Sequence, residues 1–124
     1  MARISSKSNR RRETRIEQEI VVDAYTSDER AMGWYYYLEQ KLRFPFAARC
    51  TRALAISPLQ VGESVTISGM ALEEHCMGEV LVMTRWKGRP LGLPLSQLSP
   101  CSANTATKTA IDDWHYWIAR GYHY

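Results

Sequence analysis

Four aromatic residues in succession, Trp34-Tyr35-Tyr36-Tyr37, constrain the fold more than any other feature of this 124-residue chain. In a helix, successive side chains point about 100° apart, so four of them sweep most of the circumference. At least two of these rings must therefore lie beside the apolar stripe rather than under it. Such rings pack their faces and keep a hydroxyl at the boundary with water. The flanking sequence is that of a helix. Thr26-Ser27-Asp28-Glu29 has the S/T-x-x-E form of a capping box, in which Thr26 accepts from the Glu29 amide and the Glu29 carboxylate reaches back. Ala31, Trp34, Tyr35, Leu38 and Leu42 then recur at helical spacing. The helix is expected to run to Lys41 or Leu42 and to be ended by Pro45, because the residue before proline is pushed out of the α region.

The middle of the chain changes period. Phe44 to Ala53 is a candidate strand, and Val65-Thr66-Ile67-Ser68 alternates after the turn Val61-Gly62-Glu63. Val80, Val82, Thr84 and Trp86 alternate with Leu81, Met83 and Arg85; Lys87-Gly88 is a two-residue turn, and Leu91, Leu93 and Leu95 form one face of the returning strand. Pro90 and Pro94 place that strand at an edge, since proline cannot donate to a ladder. From Asn104 or Thr105 the pattern is helical again, with Ile111, Trp114, His115, Ile118 and Tyr122 on one face and Gly121 near the end. Ile20-Val21-Val22 reads as a strand or as the lead-in to the first helix. The expected fold is α+β: a small antiparallel β-barrel or bent sheet of SH3-like size, flanked by an N-terminal and a C-terminal helix.

Charge divides the chain. Residues 1–15 hold Arg3, Lys7, Arg10, Arg11, Arg12 and Arg15 against Glu13, a local charge of +5; the remaining ten basic and twelve acidic residues give −2. The expectation is a disordered basic arm over 1–15 and a single domain over 16–124. The mildly acidic body is not the surface of a dedicated nucleic-acid binder. The arm reads either as a solubilising tail or as a segment making non-specific contact with nucleic-acid phosphates. No apolar run is long enough to span a bilayer, and the N-terminus lacks a secretory h-region, so no membrane association and a cytoplasmic address are expected. Cys50, Cys76 and Cys101 are odd in number and widely spaced, which fits reduced, mostly buried thiols.

Enzyme chemistry finds no foothold. No local signature unites a cysteine with His75, His115 or His123, Ser96 and Ser99 lack a nucleophile elbow, and no glycine-rich phosphate loop occurs. Zinc is disfavoured, because His75 and Cys76 are adjacent and His115 sits among Trp114, Tyr116 and Trp117. Calcium needs several oxygen ligands, and without an EF-hand loop they must come from separate segments. Three acidic pairs offer them: Glu73-Glu74 with Glu79 nearby, Asp112-Asp113, and Asp28-Glu29. Each also has a plain structural reading. Asp28 and Glu29 suit a helix N-terminus, Asp113 can pair with Trp117 or Arg120 along its helix, and Glu73-Glu74 suits a solvated loop.

The wording of the chain carries more. Ile20 to Tyr25, Glu29 to Glu39, Phe44-Pro45-Phe46 with Ala48 and Cys50, Val61-Gly62-Glu63, Gly69-Met70-Ala71, Val80 to Trp86, Pro94 to Leu98 and Asp113 to Trp117 together resemble, in order, the CcbP-type calcium-binding proteins of cyanobacteria. The resemblance spans about residues 17–124. It implies a compact, non-enzymatic bacterial α+β domain that binds calcium through surface carboxylates and acts as a buffer or sensor. Carried over by position, the acids are Asp28, Glu29, Glu39, Glu73, Glu74, Glu79, Asp112 and Asp113. The chain departs from the family in its less acidic body and in having Ser99 to Asn104 where relatives are expected to carry further carboxylates. Fewer charged ligands make a weaker site. A competing reading is a protein- or RNA-interaction module that has lost calcium binding, with Trp34, Tyr36, Tyr37 and Trp117 partly exposed in one patch.

Overall fold

The computed structural model describes residues 9–72, 76 and 79–120. Helix α1 (Arg10–Arg15) is capped by Asn9, whose side chain accepts from the Arg12 amide, and runs directly into a π-helical turn, Ile16–Ile20. Val21 donates to the Ile16 carbonyl, closing that wider turn. Ile20-Val21-Val22 is therefore a lead-in rather than a strand, and the disorder expected over 1–15 does not extend over its last residues. Ile16 and Ile20 both enter the main core.

Helix α2 (Ser27–Lys41) starts at the capping box read from the sequence, with both reciprocal bonds formed. It ends at Leu42, whose backbone is extended. Strand β1 (Phe46–Cys50) is central in a three-stranded antiparallel sheet, between β2 (Ser64–Ile67) and β6 (Leu98–Ser102). The second sheet has β4 (Leu81–Trp86) between β3 (Gly69–Met70) and β5 (Arg89–Pro94). The β4–β5 hairpin turns on Lys87 and Gly88, both at positive φ, the combination that suits the twist of a two-residue hairpin. As expected, β5 is an edge strand.

Among the described residues the two sheets do not close into a barrel. The sheets meet at β2 and β4, where Thr84 Oγ1 donates to the Thr66 carbonyl at 2.6 Å and the Ser68 amide to the Met83 carbonyl at 2.8 Å. The outer strands β5 and β6 carry Pro90, Pro94 and Pro100, which have no N–H to complete a ladder. The result is two small sheets covered by helices.

Helix α3 (Thr105–Ala119) begins at Asn104, whose side chain accepts from the Thr107 amide. Its buried face is Thr107, Ala110, Ile111, Asp113, Trp114 and Trp117, rotated from the expected one; His115 and Ile118 are only half-buried. The face packs on α2. The Trp34 ring lies 5.1 Å from Trp114, 5.6 Å from Trp117 and 6.0 Å from Tyr37, edge-on or tilted, the arrangement aromatic quadrupoles favour. Trp34, Tyr37 and Trp117 are thus core, not an exposed patch; of the four rings proposed for such a patch only Tyr36, 45% exposed, faces water. Gly33 is what lets α2 approach the N-terminal segment. A Cβ there would overlap the Ile20 carbonyl oxygen.

Candidate functional site

The sequence-derived acids among the described residues fall into four environments. Glu29 is consumed by its cap: its Oε1 accepts from the amides of Tyr25 at 2.7 Å and Thr26 at 3.2 Å. Asp28 and Glu39 are exposed on α2, eleven positions apart. At 1.5 Å rise per residue they stand about 16 Å apart along the axis, whereas oxygens on one calcium ion lie within roughly 5 Å of each other. These two cannot share an ion.

Asp112 is exposed on α3, and its backbone carbonyl accepts from Arg12 Nη1. Asp113 is fully buried, and its oxygens are already engaged. Arg15 donates to it through two nitrogens, at 2.7 and 2.9 Å; Arg12 Nε lies 3.1 Å away, and the Tyr37 hydroxyl donates at 2.9 Å. A carboxylate so held by two guanidinium groups is an internal counter-charge, and it offers no oxygen at the surface. The expectation that Asp113 pairs with Trp117 or Arg120 is replaced by this cross-chain clasp. Burial, followed by the neighbouring carboxylate, pushes the Tyr37 hydroxyl well above its ordinary range.

The same clasp accounts for two of the basic residues of the arm, Arg12 and Arg15. Tyr116 donates to Glu13 Oε2 at 2.6 Å and accepts from the Asn9 amide, while Arg12 and Arg120 lie over its ring at 5.8 and 5.7 Å. Arg120 also pairs with Glu13 at 3.3 Å. Arg12 and Arg15 therefore face the protein interior, and Arg10 and Arg11 face solvent. One signal for this was in the sequence: Asp113 completes the i, i+3, i+4, i+7 stripe of Ala110, Asp113, Trp114 and Trp117.

The fourth environment is a cleft. Glu79, half-buried, shares it with Thr51, Arg52, Ser96, His115 and Ile118, around a space of about 430 Å³. Each wall is fixed by the fold. Val80 is fully buried and its carbonyl accepts from Leu95, which ties the start of β4 to the 3₁₀ turn Leu95–Gln97. Ser96 in that turn is 8% exposed and donates to Glu79 Oε1 at 3.3 Å. Buried Gln97 donates to the Arg52 carbonyl at 3.0 Å, and its own carbonyl accepts from the Thr51 amide at 2.8 Å. His115 Nε2 lies 3.3 Å from the Leu95 carbonyl. Carboxylate and hydroxyl oxygens are the hard donors that calcium prefers over softer metals. The two buried thiols are engaged elsewhere: Cys50 is bonded to the Arg52 carbonyl and Cys76 to that of Leu81.

Glu73 and Glu74 lie outside the described residues. Among the described residues, no three of His, Cys, Asp and Glu come together where they could hold a metal ion. Glu79 lines a cleft with the hydroxyls of Thr51 and Ser96, Asp112 lines a smaller one with Tyr116 and Arg12, and of the two only Glu79 follows Glu73 and Glu74 within a few positions of sequence.

Comparison with known proteins decides the family. The calcium-binding CcbP family pattern matches residues 14–118. The chain belongs to that family. The crystal structure of Anabaena CcbP superposes with a TM-score of 0.84 at 37% identity, covering all of both chains. A calcium-binding protein in its calcium-binding form superposes with a TM-score of 0.80 at 36% identity, again over the full length of both. Among curated protein sequences, none matches. The resemblance read from the aromatic strings is thereby established for this CcbP-family chain. No helix among its described residues is long and apolar enough to cross a membrane.

Proposed function

We propose that this CcbP-family protein binds calcium without an EF-hand, at the cleft that presents Glu79, with Glu73 and Glu74 supplied by the segment immediately before it. The observation that carries the reading is the full-length likeness, at 36% identity, to a calcium-binding protein in its calcium-binding form. Glu79 supports the location, because it is the one described candidate acid both confined in a cleft and backed by a buried hydroxyl. The protein's part is to bring carboxylate oxygens to one place and leave the rest of the coordination shell to carbonyls and water. Calcium, when bound, would be neutralised by these carboxylates; no reaction is attached to it, and the role is a non-enzymatic buffer or sensor. Cysteines kept as thiols suit the reducing cytoplasm.

Few charged ligands place the affinity toward the weak end of protein calcium sites. Calorimetric titration of calcium in physiological salt, on the wild type and on Glu73→Gln/Glu74→Gln and Glu79→Gln variants, tests this. Saturable binding weakened at least about tenfold by each variant supports the reading. Absence of wild-type binding up to millimolar calcium refutes it. The interaction-module reading loses its main support, since three of its four aromatic rings are buried.

A further inference from the structure

We propose that β2 is a docking edge for an extended, acidic peptide of a protein partner, which adds to the first sheet as a fourth strand; this is independent of the calcium reading. β2 is an outer strand of its sheet. The outer strands β5 and β6 are blunted by Pro90, Pro94 and Pro100, whereas Ser64-Val65-Thr66-Ile67 holds neither proline nor charge. An edge without such protection is a template for a further strand. The register fixes which backbone groups are open. The Cys50 amide donates to the Glu63 carbonyl at 2.8 Å, so in the same alternation Val65 and Ile67 turn their backbone groups to β1, and Ser64, Thr66 and Ser68 turn theirs away. Ser68 spends its amide on the Met83 carbonyl, and the Thr66 carbonyl takes the Thr84 hydroxyl. The Ser64 amide and carbonyl and the Thr66 amide are left facing the opening.

The far wall is β4. The Leu81 and Met83 carbonyls accept from Ala71 and Ser68, so Arg85, next in that alternation, turns its backbone groups the same way, beyond the end of β3. Between the two edges lies a groove of about 530 Å³, lined by the apolar Ala47, Val65 and Trp86 and by Ser64, Thr66 and Arg85. Charge selects the occupant. Arg49 is paired with Ser64 across the ladder, and Arg85 Nη2 donates to the Gly88 carbonyl, which places that guanidinium at the β4–β5 turn beside Lys87 and Arg89. All four cations are exposed, and none of the residues lining the groove is acidic. Glu63, next to the edge, is held in its own loop by accepting from the Gln60 amide at 2.6 Å. An acidic strand therefore meets open backbone groups, an apolar floor and a basic rim together.

The test is amide NMR and hydrogen exchange of the isotopically labelled full chain, titrated with a short synthetic peptide of alternating valine and threonine that ends in glutamates on both sides. Its lysine-ended counterpart and a version N-methylated at its central residues serve as comparisons, with the protein variants Thr66→Pro and Arg49→Glu. Saturable shifts and slowed exchange at the Ser64, Thr66 and Arg85 amides are expected. N-methylation of the peptide, or Thr66→Pro, which removes an amide that β1 does not use, should weaken binding at least about fivefold. Lysine ends or Arg49→Glu should weaken it by about three- to tenfold at low salt, an effect lost near 1 M salt. Where Thr66→Pro fails to fold, the N-methylated peptide against the wild type carries the same test. Equal binding by the glutamate-ended and lysine-ended peptides, undiminished binding by the N-methylated one, or no binding at all would overturn the proposal. Dimerisation of the peptide-free protein through the same amides, seen by sedimentation, would assign the edge to a second copy and overturn it too.

Discussion

Replacing Asp113 by Asn should destabilise the protein by about 2–4 kcal/mol, and the structure gives the reasoning. Asn keeps the shape and one acceptor but removes the charge that two guanidinium groups and a phenol converge on. Breaking a buried ion pair by removing one partner costs on the order of 3–5 kcal/mol, because a charge is left without compensation. Here the two orphaned arginines are 25% and 26% exposed at the side chain, so they can turn partly into water, which lowers the expected cost. Unfolding entropy of about 2.1 cal/mol/K per residue makes such a loss a fall of roughly 8–15 °C in Tm for a chain of this size. Urea unfolding followed by tryptophan fluorescence reports it directly, since Trp34 and Trp114 sit in the adjoining core. A change within about 0.5 kcal/mol, the range of ordinary surface substitutions, would refute the reading of Asp113 as the anchor of the N-terminal helix.

Three further expectations concern the same framework. Burial first, then a carboxylate partner, raises the Tyr37 and Tyr116 hydroxyls above the ordinary value of 10.0. Above that pH the unfolded chain releases protons that the folded protein retains, so stability falls as pH rises above about 10. Urea midpoints should decline over that window, less steeply in Tyr37→Phe and Tyr116→Phe; parallel slopes would contradict the assignment. Gly33→Ala should be destabilising by about 1–3 kcal/mol despite the helix preference for alanine, because the new Cβ meets backbone at Ile20 rather than a flexible side chain. A stabilised variant in thermal melts would show that the close approach of α2 to the π-turn is wrong. Glu29→Ala, which opens the capping box without touching the cleft, should cost about 1 kcal/mol in urea unfolding and leave calcium affinity unchanged; a weakened affinity would return Glu29 to the site.

What the sequence disclosed was local. The cap at Thr26, the Lys87-Gly88 turn and the Asn104 start of α3 each depend on residues within a few positions, so their side chains suffice to specify them. Strand β6 was not legible, because Leu98-Ser99-Pro100-Cys101-Ser102 lacks an alternating apolar pattern and exists by pairing with β1 some fifty residues earlier. The ordered N-terminal helix escaped for the same reason. Six basic residues in fifteen look solvated until the buried acid 98 residues away is known to receive Arg15. Of the candidate site, Glu79 was nominated by its proximity to Glu73-Glu74 and by the family resemblance; Ser96, Thr51 and Arg52 were invisible, since hydroxyls and a lone arginine carry no spacing signal. Glu29 and Asp113 show the converse error, acids whose partners lie inside the fold.

The central claim is that calcium enters at Glu79 and the segment preceding it. The most direct measurement is calcium titration of the isotopically labelled protein, followed by amide NMR. Saturable shifts should concentrate around residues 72–80 and spread to Thr51, Arg52 and Ser96, with the α2 amides near Asp28 and Glu39 and those around Asp113 unmoved. Shifts centred on α2 or α3 instead, or none at millimolar calcium, would contradict the account.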